Sequence, residues 1–479
     1  MNSLIQKIFE NSAVSPDKTA LIYNERTLSY KEFTTKIQIF AAALKERKLK
    51  KGSRIIIEAD DLLSYFCALF GSQLAGCIPV PIEKNISIYK LQALMKTTKP
   101  ALVFMKNNGE SYADFFHTDA PLKKWTFPKK EDASIIISTT GTTGNPVLVS
   151  HTHRSMLAVT QNLISGTNIT QNTVLLTNTP FHLAAGYRRI LAALYCGATA
   201  VLTHDTLTLD VLKTYTQKYH VTFLSLINVN LSFLMEEDLQ NAKELLKDIQ
   251  QVESVTGSLS YDIILKFHNY FPSVTLYNIY GTTESGCLLV NNTSENYIEN
   301  CIGKPTCNSK VFLLDENGEP ITTPGAYGHI AIKGDMNMKE YYKKKGLTDK
   351  VLQNETLILN DIAYFDEQGY FYFVSRVGDI INVGGYKIIP TEIEQVAMQF
   401  EGVKDCACIA KDDVHYGQVP LLYIICEDKT NFDFAGLKAF LQENLESYRV
   451  PESIISIDHM PRTATGKLMR KSLALMPLF

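Results

Sequence analysis

The stretch Ile135-Ile-Ile-Ser-Thr-Thr-Gly-Thr-Thr-Gly-Asn-Pro-Val-Leu-Val-Ser-His-Thr-His153 decides how the chain is interpreted. Its apolar run predicts a buried strand that ends in a loop of hydroxyls and glycines. Gly141 and Gly144 allow left-handed backbone and a close approach to a ligand. Many hydroxyl and N–H donors without negative charge suit a polyphosphate. The pattern is not a P-loop, because no Lys-Ser/Thr pair follows Gly144. A Thr/Gly-rich surface turn is the alternative for this stretch taken alone.

Length and composition indicate a globular protein of more than one domain. The chain has 479 residues, of which 45% are hydrophobic and 20% charged, and its net charge of −3 gives no reason to expect a nucleic acid partner. Nine cysteines without a repeated spacing suit reduced thiols, and the close pair Cys406 and Cys408 is read as two core thiols rather than half a metal site. With no apolar signal segment and no membrane span, we expect a soluble cytoplasmic chain.

Strand and helix patterns alternate along the N-terminal part of the chain. Ser29 predicts the start of a helix that runs to about Arg47, and Gly76 predicts the end of another that begins at Leu62. After His182, a loop to Gly186 and then a helix over 187–195 are expected. This alternation predicts βαβ units around a parallel sheet.

The texture changes between residues 308 and 375, where short strands alternate with turns such as Glu316-Asn-Gly-Glu. This pattern is typical of antiparallel strands and predicts a small β-barrel-like part. Beyond Arg376 the strand and helix alternation returns. We therefore predict an α/β fold with a large N-terminal domain over 1–377 and a small α+β C-terminal domain over 378–479.

Five separated motifs, in one order, resemble those of the adenylate-forming superfamily. That superfamily comprises acyl-CoA and aryl-CoA synthetases, adenylation domains of nonribosomal peptide synthetases, and luciferases. The motifs are Thr139-Thr-Gly-Thr-Thr-Gly-Asn-Pro146, Tyr277-Asn-Ile-Tyr-Gly-Thr-Thr-Glu284, Asn360-Asp361, Ser375-Arg-Val-Gly-Asp-Ile-Ile-Asn-Val-Gly-Gly-Tyr-Lys387 with Pro390-Thr-Glu-Ile-Glu394, and Pro461-Arg-Thr-Ala-Thr-Gly-Lys467. The resemblance implies an AMP-binding domain over 1–377 and a mobile lid domain over 378–479.

The resemblance also implies an acid–thiol ligase that uses ATP and Mg²⁺. Conversion of a carboxylate to an acyl-adenylate supplies a good leaving group, and the transition state concentrates negative charge on the α-phosphate and pyrophosphate. Catalysis then consists mostly of positioning and electrostatic stabilisation. A phosphopantetheine thiol, either of CoA or of a separate carrier protein, would accept the acyl group.

The residues that would bind the nucleotide come from several motifs. Those that would cradle the β- and γ-phosphates are Thr139, Thr140, Gly141, Thr142, Thr143 and Gly144. Those around the adenine are Gly257, Ser258, Asn278, Tyr280 and Gly281, where Tyr280 would stack and Asn278 would pair with the N6 edge. Asn278 has the alternative of a plain turn residue. Asp361 would accept both ribose hydroxyls and Arg376 would bind a ribose oxygen, with a simple surface arginine as the alternative for Arg376.

The residues nearest the chemistry are Thr283, Glu284, His182 and Lys467. Thr283 would hydrogen-bond the α-phosphate, and Glu284 would bind Mg²⁺, which prefers carboxylate oxygen and retains several waters. Lys467 would supply the catalytic cation after the small domain closes. His182 would gate the acyl pocket, with a structural loop histidine as its alternative.

Gly384 and Gly385 would line the channel for the phosphopantetheine arm, with a hairpin turn as the alternative. The loop after His182 contains no aspartate, which favours an acid without an α-amino group because a buried ammonium needs a counter-charge. The spacing from Pro146 to His153 best fits the relatives that activate aryl acids, so we expect an aryl or fatty acid.

The chain departs from the family pattern at several positions. Val147 stands where most members have lysine, and Gly378 stands where the hinge Asp or Lys is expected. Asn360 and Ser375 replace glycines. Two alternatives therefore stay open: a stand-alone enzyme that adenylates an amino acid, and a catalytically silent nucleotide-binding protein.

Overall fold

A computed structural model describes most of the chain, and the chain divides into two units. The described residues are 1–106, 109–116, 121–122, 124–139, 147–205, 207–227, 230–231, 234–235, 239–255, 259, 261–295, 298, 300–383, 386–463, 466 and 468–476. The first unit comprises Met1–Val311 and Ile332–Ile358, and the second comprises Phe312–Ala331 and Leu359–Phe479.

Helices occur in both units, most of them in the first. Those of the first unit are Leu4–Val14, Tyr30–Glu46, Leu62–Leu74, Ile88–Thr98, Tyr112–Phe116, His153–Thr167, Ala184–Cys196, Leu209–Tyr219, Leu239–Leu245, Tyr261–Tyr270 and Lys345–Val351. Those of the second unit are Pro390–Ala397, Phe434–Asn444 and Arg470–Leu473, with a 3₁₀ turn at Val377–Asp379. Within the described residues, no helix is long and apolar enough to cross a membrane.

The strands are numbered in chain order. They are β1 (Thr19–Tyr23), β2 (Arg26–Ser29), β3 (Arg54–Glu58), β4 (Ile78–Ile82), β5 (Leu102–Phe104), β6 (Ala133–Ser138), β7 (Leu148–Thr152), β8 (Val174–Thr177), β9 (Thr199–Leu202), β10 (Phe223–Ile227), β11 (Gln251–Val255), β12 (Thr275–Thr282), β13 (Gly286–Asn292), β14 (Cys301–Pro305), β15 (Lys310–Leu314), β16 (Pro320–Ile321), β17 (Gly328–Lys333), β18 (Glu340–Tyr341), β19 (Leu352–Gln353), β20 (Thr356–Phe365), β21 (Phe371–Arg376), β22 (Ile381–Val383), β23 (Tyr386–Ile388), β24 (Val403–Asp413), β25 (Gly417–Cys426) and β26 (Ser453–Ser456).

The first unit contains a large mixed sheet and two small sheets. The large sheet runs in the order β14-β13-β12-β11-β10-β8-β9-β1-β2, and its strands from β12 to β1 are parallel. One small sheet, β4-β3-β5, is parallel, and the other, β18-β7-β6, is antiparallel. The predicted α/β fold with βαβ connections is therefore confirmed.

The second unit is built mainly of antiparallel strands. β20 pairs with β21, and a separate sheet has the order β23-β22-β25-β24, with β26 parallel to β25. Cys406 and Cys408 on β24 are buried in the apolar core of this sheet, which agrees with their interpretation as core thiols. All nine cysteines are free thiols. The predicted domain boundary between 377 and 378 stays a prediction.

Local signals place several helix ends as expected. Ser29 forms a capping box with Glu32 at the start of helix Tyr30–Glu46, and Gly76, with φ +80°, follows helix Leu62–Leu74. The helix after His182 begins at Ala184, so the predicted loop is shorter and its last residues are helical. Gly186 permits this, because a Cβ there would lie 2.6 Å from the carbonyl oxygens of Thr179 and Pro180.

Candidate active site

The proposed phosphate loop leaves and rejoins an antiparallel pair of strands. Ser138 at the end of β6 lies opposite Leu148 on β7, and the Thr139 amide donates to the Val147 carbonyl at 2.9 Å. Thr139 is therefore held at the base of the loop. The predicted ligands from Thr140 to Gly144 lie outside the described residues, and their roles stay predictions.

Thr283 and Glu284 lie in a tight turn between β12 and β13. Thr282 pairs with Gly286, and the Thr282 hydroxyl accepts the Ser285 amide at 3.2 Å. Gly281 must be glycine, because a Cβ would lie 2.0 Å from the carbonyl oxygen of Gly286. The close approach of the two strands thus explains the glycine in the Tyr-Gly-Thr-Thr-Glu motif.

Glu284 is a half-buried carboxylate with one oxygen held in place. The Tyr341 hydroxyl donates to Oε1 at 2.8 Å, and the Glu284 carbonyl accepts the Met338 amide at 2.7 Å. Burial, followed by the charge of Glu284, raises the pKa of Tyr341 and keeps it a donor. In the described part of the chain, Oε2 accepts no hydrogen bond, and no group of three or more His, Cys, Asp or Glu side chains could hold a metal. A single carboxylate fits Mg²⁺, which retains waters and takes phosphate oxygens as its other ligands.

Two buried side chains that the sequence analysis did not assign to the site hold the backbone before Glu284. Arg188 donates from Nη1 to the Thr282 carbonyl and from Nη2 to the Thr283 carbonyl, each at 2.7 Å. His151 Nε2 lies 2.8 Å from the same Thr283 carbonyl. The only sequence signal for Arg188 is a charge inside a largely apolar helix, and for His151 it is the spacing His151-Thr-His153, which is no indication of this role.

His151 is a neutral donor in this arrangement. Because a carbonyl only accepts, Nε2 carries the proton, and Nδ1 accepts from the Ser155 hydroxyl at 3.1 Å. Burial, then the charge of Arg188, lowers the pKa of His151 to about 3. Burial also lowers the pKa of the neighbouring His153 to about 4. Both imidazoles are therefore uncharged at neutral pH, and neither forms a metal cluster among the described residues.

These two histidines predict a loss of stability in mild acid. Below about pH 6.5 these two histidines bind protons in the unfolded chain but not in the folded chain. The free energy of unfolding therefore falls as pH falls. The expected slope is about 1.4 kcal/mol per pH unit for each histidine, down to the folded pKa. Urea unfolding at about pH 7, 6 and 5 measures it. His153→Gln should reduce the slope, whereas the exposed His220→Asn should not; a flat profile would contradict the expectation.

His182 lies in the turn before helix Ala184–Cys196. The Leu183 amide donates to the Pro180 carbonyl at 3.0 Å and closes this turn. Burial lowers the pKa of His182 to about 4, so its imidazole is neutral at physiological pH. A neutral, half-buried ring is compatible with an acyl-pocket gate, and that role stays a prediction.

The predicted adenine residues divide between described and undescribed positions. Asn278 is buried within β12, and its Nδ2 donates to the Cys301 carbonyl at 3.3 Å. It is therefore a strand residue, which is not compatible with the alternative of a plain turn residue. Tyr280 follows on the same strand and is partly exposed. Gly257 and Ser258 lie outside the described residues.

The two predicted ribose ligands form a pair within the second unit. Asp361 on β20 lies opposite Arg376 on β21, and Arg376 Nε is 2.8 Å from Asp361 Oδ1. Asp361 is buried, whereas the Arg376 side chain is 40% exposed. Arg376 is therefore an ordered ion-pair partner rather than a simple surface arginine. Binding of ribose by this pair stays a prediction.

The segment that carries Lys467 is anchored on both sides. Arg462 pairs with Leu468 as an isolated bridge, and its guanidinium binds Asp405 Oδ2 at 2.8 Å. Arg470 forms a bidentate ion pair with Glu394 and donates to the Cys408 carbonyl at 2.6 Å. Lys467 itself lies outside the described residues, as do Gly384 and Gly385.

Comparison with known proteins agrees with this arrangement of motifs. The chain is 28% identical over 472 residues to the 2-succinylbenzoate--CoA ligase of Staphylococcus epidermidis, covering 96% of each chain. It is 26% identical over 539 residues to the long-chain-fatty-acid--CoA ligase of Bacillus subtilis, covering 98% of this chain and 94% of that one. Adenylation followed by CoA thioester formation fits these relatives, so the predicted acid–thiol ligase is confirmed at this level.

The fold and the family assignment agree with each other. The solved structure of o-succinylbenzoate CoA synthetase from Bacillus subtilis, in complex with the acyl-adenylate intermediate, is similar to this chain with a TM-score of 0.86 at 20% identity, over 99% of this chain and 98% of that one. The sequence pattern of the family called AMP-binding enzyme matches residues 8–342. The pattern of the family called AMP-binding enzyme C-terminal domain matches residues 392–467. The chain therefore belongs to the AMP-binding enzyme family of the adenylate-forming superfamily.

Proposed function

We propose that this chain activates an aryl or fatty acid without an α-amino group as its acyl-adenylate, and then transfers the acyl group to CoA. One contact supports this most directly. His151 lies on β7, the strand that leaves the phosphate loop, and it donates to the carbonyl of Thr283 at 2.8 Å across 132 residues. The strand that follows the proposed phosphate loop and the turn that carries Glu284 are therefore in contact within one unit.

Each residue has a separate task in the proposed reaction. The loop that begins at Thr139 binds the phosphates through backbone N–H and hydroxyl groups, and Thr283 donates to the α-phosphate. Glu284 holds Mg²⁺, which supplies positive charge to the phosphate oxygens when it is bound. Asp361 and Arg376 bind the ribose. Lys467 stabilises the charge that develops between the substrate carboxylate and the α-phosphate.

The surroundings of His182 support an acid without an ammonium group. The residues that follow His182 are Leu183, Ala184 and Ala185, none of which supplies a counter-charge. The acidic group that influences His182 most is Glu83, and Glu83 already pairs with Lys90 at 3.0 Å. A buried ammonium without its own carboxylate would be costly, so a neutral acyl group is favoured.

The acceptor and the compartment complete the proposal. CoA is the acceptor in the names of both ligases described above. A separate carrier protein is the alternative acceptor, with the same phosphopantetheine thiol. Nine free cysteines favour a reducing compartment, so we place the enzyme in the cytoplasm.

A panel of acids tests the proposal. Purified protein is incubated with MgATP and aryl, short-chain, medium-chain, long-chain or amino acids, and pyrophosphate release is followed with hydroxylamine trapping of the acyl-adenylate. We expect turnover with an aryl or fatty acid, and CoA-dependent release of AMP. Strict dependence on an amino acid would replace the proposed substrate class. The absence of acid-dependent pyrophosphate with every acid would favour a silent nucleotide-binding protein.

A further inference from the structure

Arg188 has an unusual environment for a charged side chain. It lies on helix Ala184–Cys196 with 5% of its surface exposed, and its two terminal nitrogens bind the carbonyls of Thr282 and Thr283. Its Nε has no hydrogen-bond partner among the described residues. The guanidinium therefore holds the backbone that presents Glu284, but its own hydrogen bonding is incomplete.

The charge of Arg188 is not neutralised by an ion pair in the described part of the chain. The adjacent Arg189 provides the contrast, because its Nε lies 2.5 Å from Glu253 Oε1. Carbonyl dipoles compensate a buried cation only partly, so an isolated guanidinium is costly. Burial lowers the pKa of Arg188 to about 10, which leaves it protonated at neutral pH.

Glu284 is the acidic group that favours the charged form of Arg188 most. Glu284 is also the proposed ligand of Mg²⁺, and a bound cation offsets its negative charge. Binding of the metal alone would therefore leave Arg188 beside further positive charge. A triphosphate that arrives with the metal supplies the missing negative charge, because it carries more negative charge than Mg²⁺ neutralises.

We propose that Arg188 is a positioning residue that fixes the Thr282–Glu284 turn and also provides buried positive charge for the ATP polyphosphate. This inference rests on the proposed function of the site. Arg188 does not need to touch the nucleotide, because a charge in a low-dielectric interior acts over several ångströms. The burial of Arg188 without a counter-charge destabilises the ligand-free enzyme. Bound MgATP reduces this destabilisation.

The test compares affinity with stability in the full-length protein. MgATP binding is measured by isothermal titration calorimetry, and stability by urea unfolding without ligand. Arg188→Gln retains a donor but removes the charge, so its dissociation constant for MgATP should rise about tenfold or more. Its resistance to urea should be equal to or greater than that of the wild type. A purely structural residue would lose stability together with affinity.

Two further variants separate charge from shape. Arg188→Lys retains the charge but loses the planar fork that binds both carbonyls, so its affinity for MgATP should lie between those of the wild type and Arg188→Gln. Val147 ends the proposed phosphate loop, so Val147→Lys in the Arg188→Gln background should recover at least about threefold in affinity. If Arg188→Gln does not fold, Arg188→Met takes its place as the variant without charge, and wild-type affinity for MgATP in Arg188→Met would overturn the role of charge.

The control is Arg154→Gln, which removes the same charge from the surface of the same unit. Arg154 is 46% exposed at its side chain and pairs with Glu131 and Asp335, so MgATP affinity should stay within about twofold. Arg188→Gln with wild-type affinity, or no rescue by Val147→Lys, would overturn the inference. If the wild type itself does not bind MgATP, the proposed function fails instead, and the two failures are thereby distinguished.

Discussion

Lys467→Ala should lower acid-dependent pyrophosphate release by about a hundredfold or more while the protein stays folded. The adenylation step develops negative charge between the carboxylate and the α-phosphate, and an ammonium placed there stabilises it more than it stabilises the bound substrate. Transfer of the acyl group from a supplied acyl-adenylate to CoA does not repeat this charge development. That second step should therefore retain most of its rate.

Two ion pairs flank the segment of sequence that carries Lys467. Arg462 anchors the chain before it to Asp405, and Arg470 anchors the chain after it to Glu394. Both anchors are arginine–carboxylate pairs, whose planar geometry gives direction as well as energy. These two pairs hold the described residues on either side of Lys467 in the sequence.

Two assays on the same preparations give the measurement. Pyrophosphate release reports the first step, and CoA thioester formation from synthetic acyl-adenylate reports the second. Lys471→Ala is the matched control, because Lys471 is exposed on the helix that follows and should be dispensable in both assays. Equal losses in both steps for Lys467→Ala would show that Lys467 acts through folding or domain arrangement rather than on the adenylation charge.

Arg189→Met should destabilise the folded protein by about 3–5 kcal/mol, and Arg189→Met/Glu253→Leu should recover most of that loss. Arg189 and Glu253 are 6% and 0% exposed at their side chains, and Arg189 Nε also donates to the Ser225 hydroxyl at 3.1 Å. Removing only the arginine leaves a buried carboxylate without its cation. Removing both charges leaves an apolar contact between helix Ala184–Cys196 and the sheet.

Glu253 has little other support within the described residues. Its Oε2 has no hydrogen-bond partner there, and Ser225 lies beside it on the neighbouring strand β10. When Arg189 is removed, we therefore expect the buried Glu253 carboxylate to destabilise the folded protein, because few other donors can replace the arginine. Urea unfolding of both variants, monitored by circular dichroism, gives the double-mutant comparison.

The control pair lies on the surface. Lys213 and Glu244 are 3.5 Å apart with side chains 41% and 58% exposed, so Lys213→Met should change the free energy of unfolding by less than about 1 kcal/mol. A single Arg189→Met variant as stable as the Lys213→Met control would show that the buried pair carries no net energetic coupling. A double variant less stable than Arg189→Met would assign the loss to packing instead.

The sequence alone was sufficient for several features that depend on neighbouring residues. The helix start at Ser29, the helix end at Gly76 and the strand before the phosphate loop all follow from short motifs or strand patterns. Caps, periodicity and turns act over a few residues, which is why they are readable without a structure.

Only the tertiary structure decided which side chains hold the Thr283–Glu284 turn. Arg188, His151 and Tyr341 reach it from elements 94, 132 and 57 residues away. The start of helix Ala184–Cys196 likewise depended on the close approach of Gly186 to the carbonyls of Thr179 and Pro180. Local propensity does not predict contacts between residues so far apart in the sequence. These contacts arise when strands and helices pack together and bury polar groups that need hydrogen-bond partners.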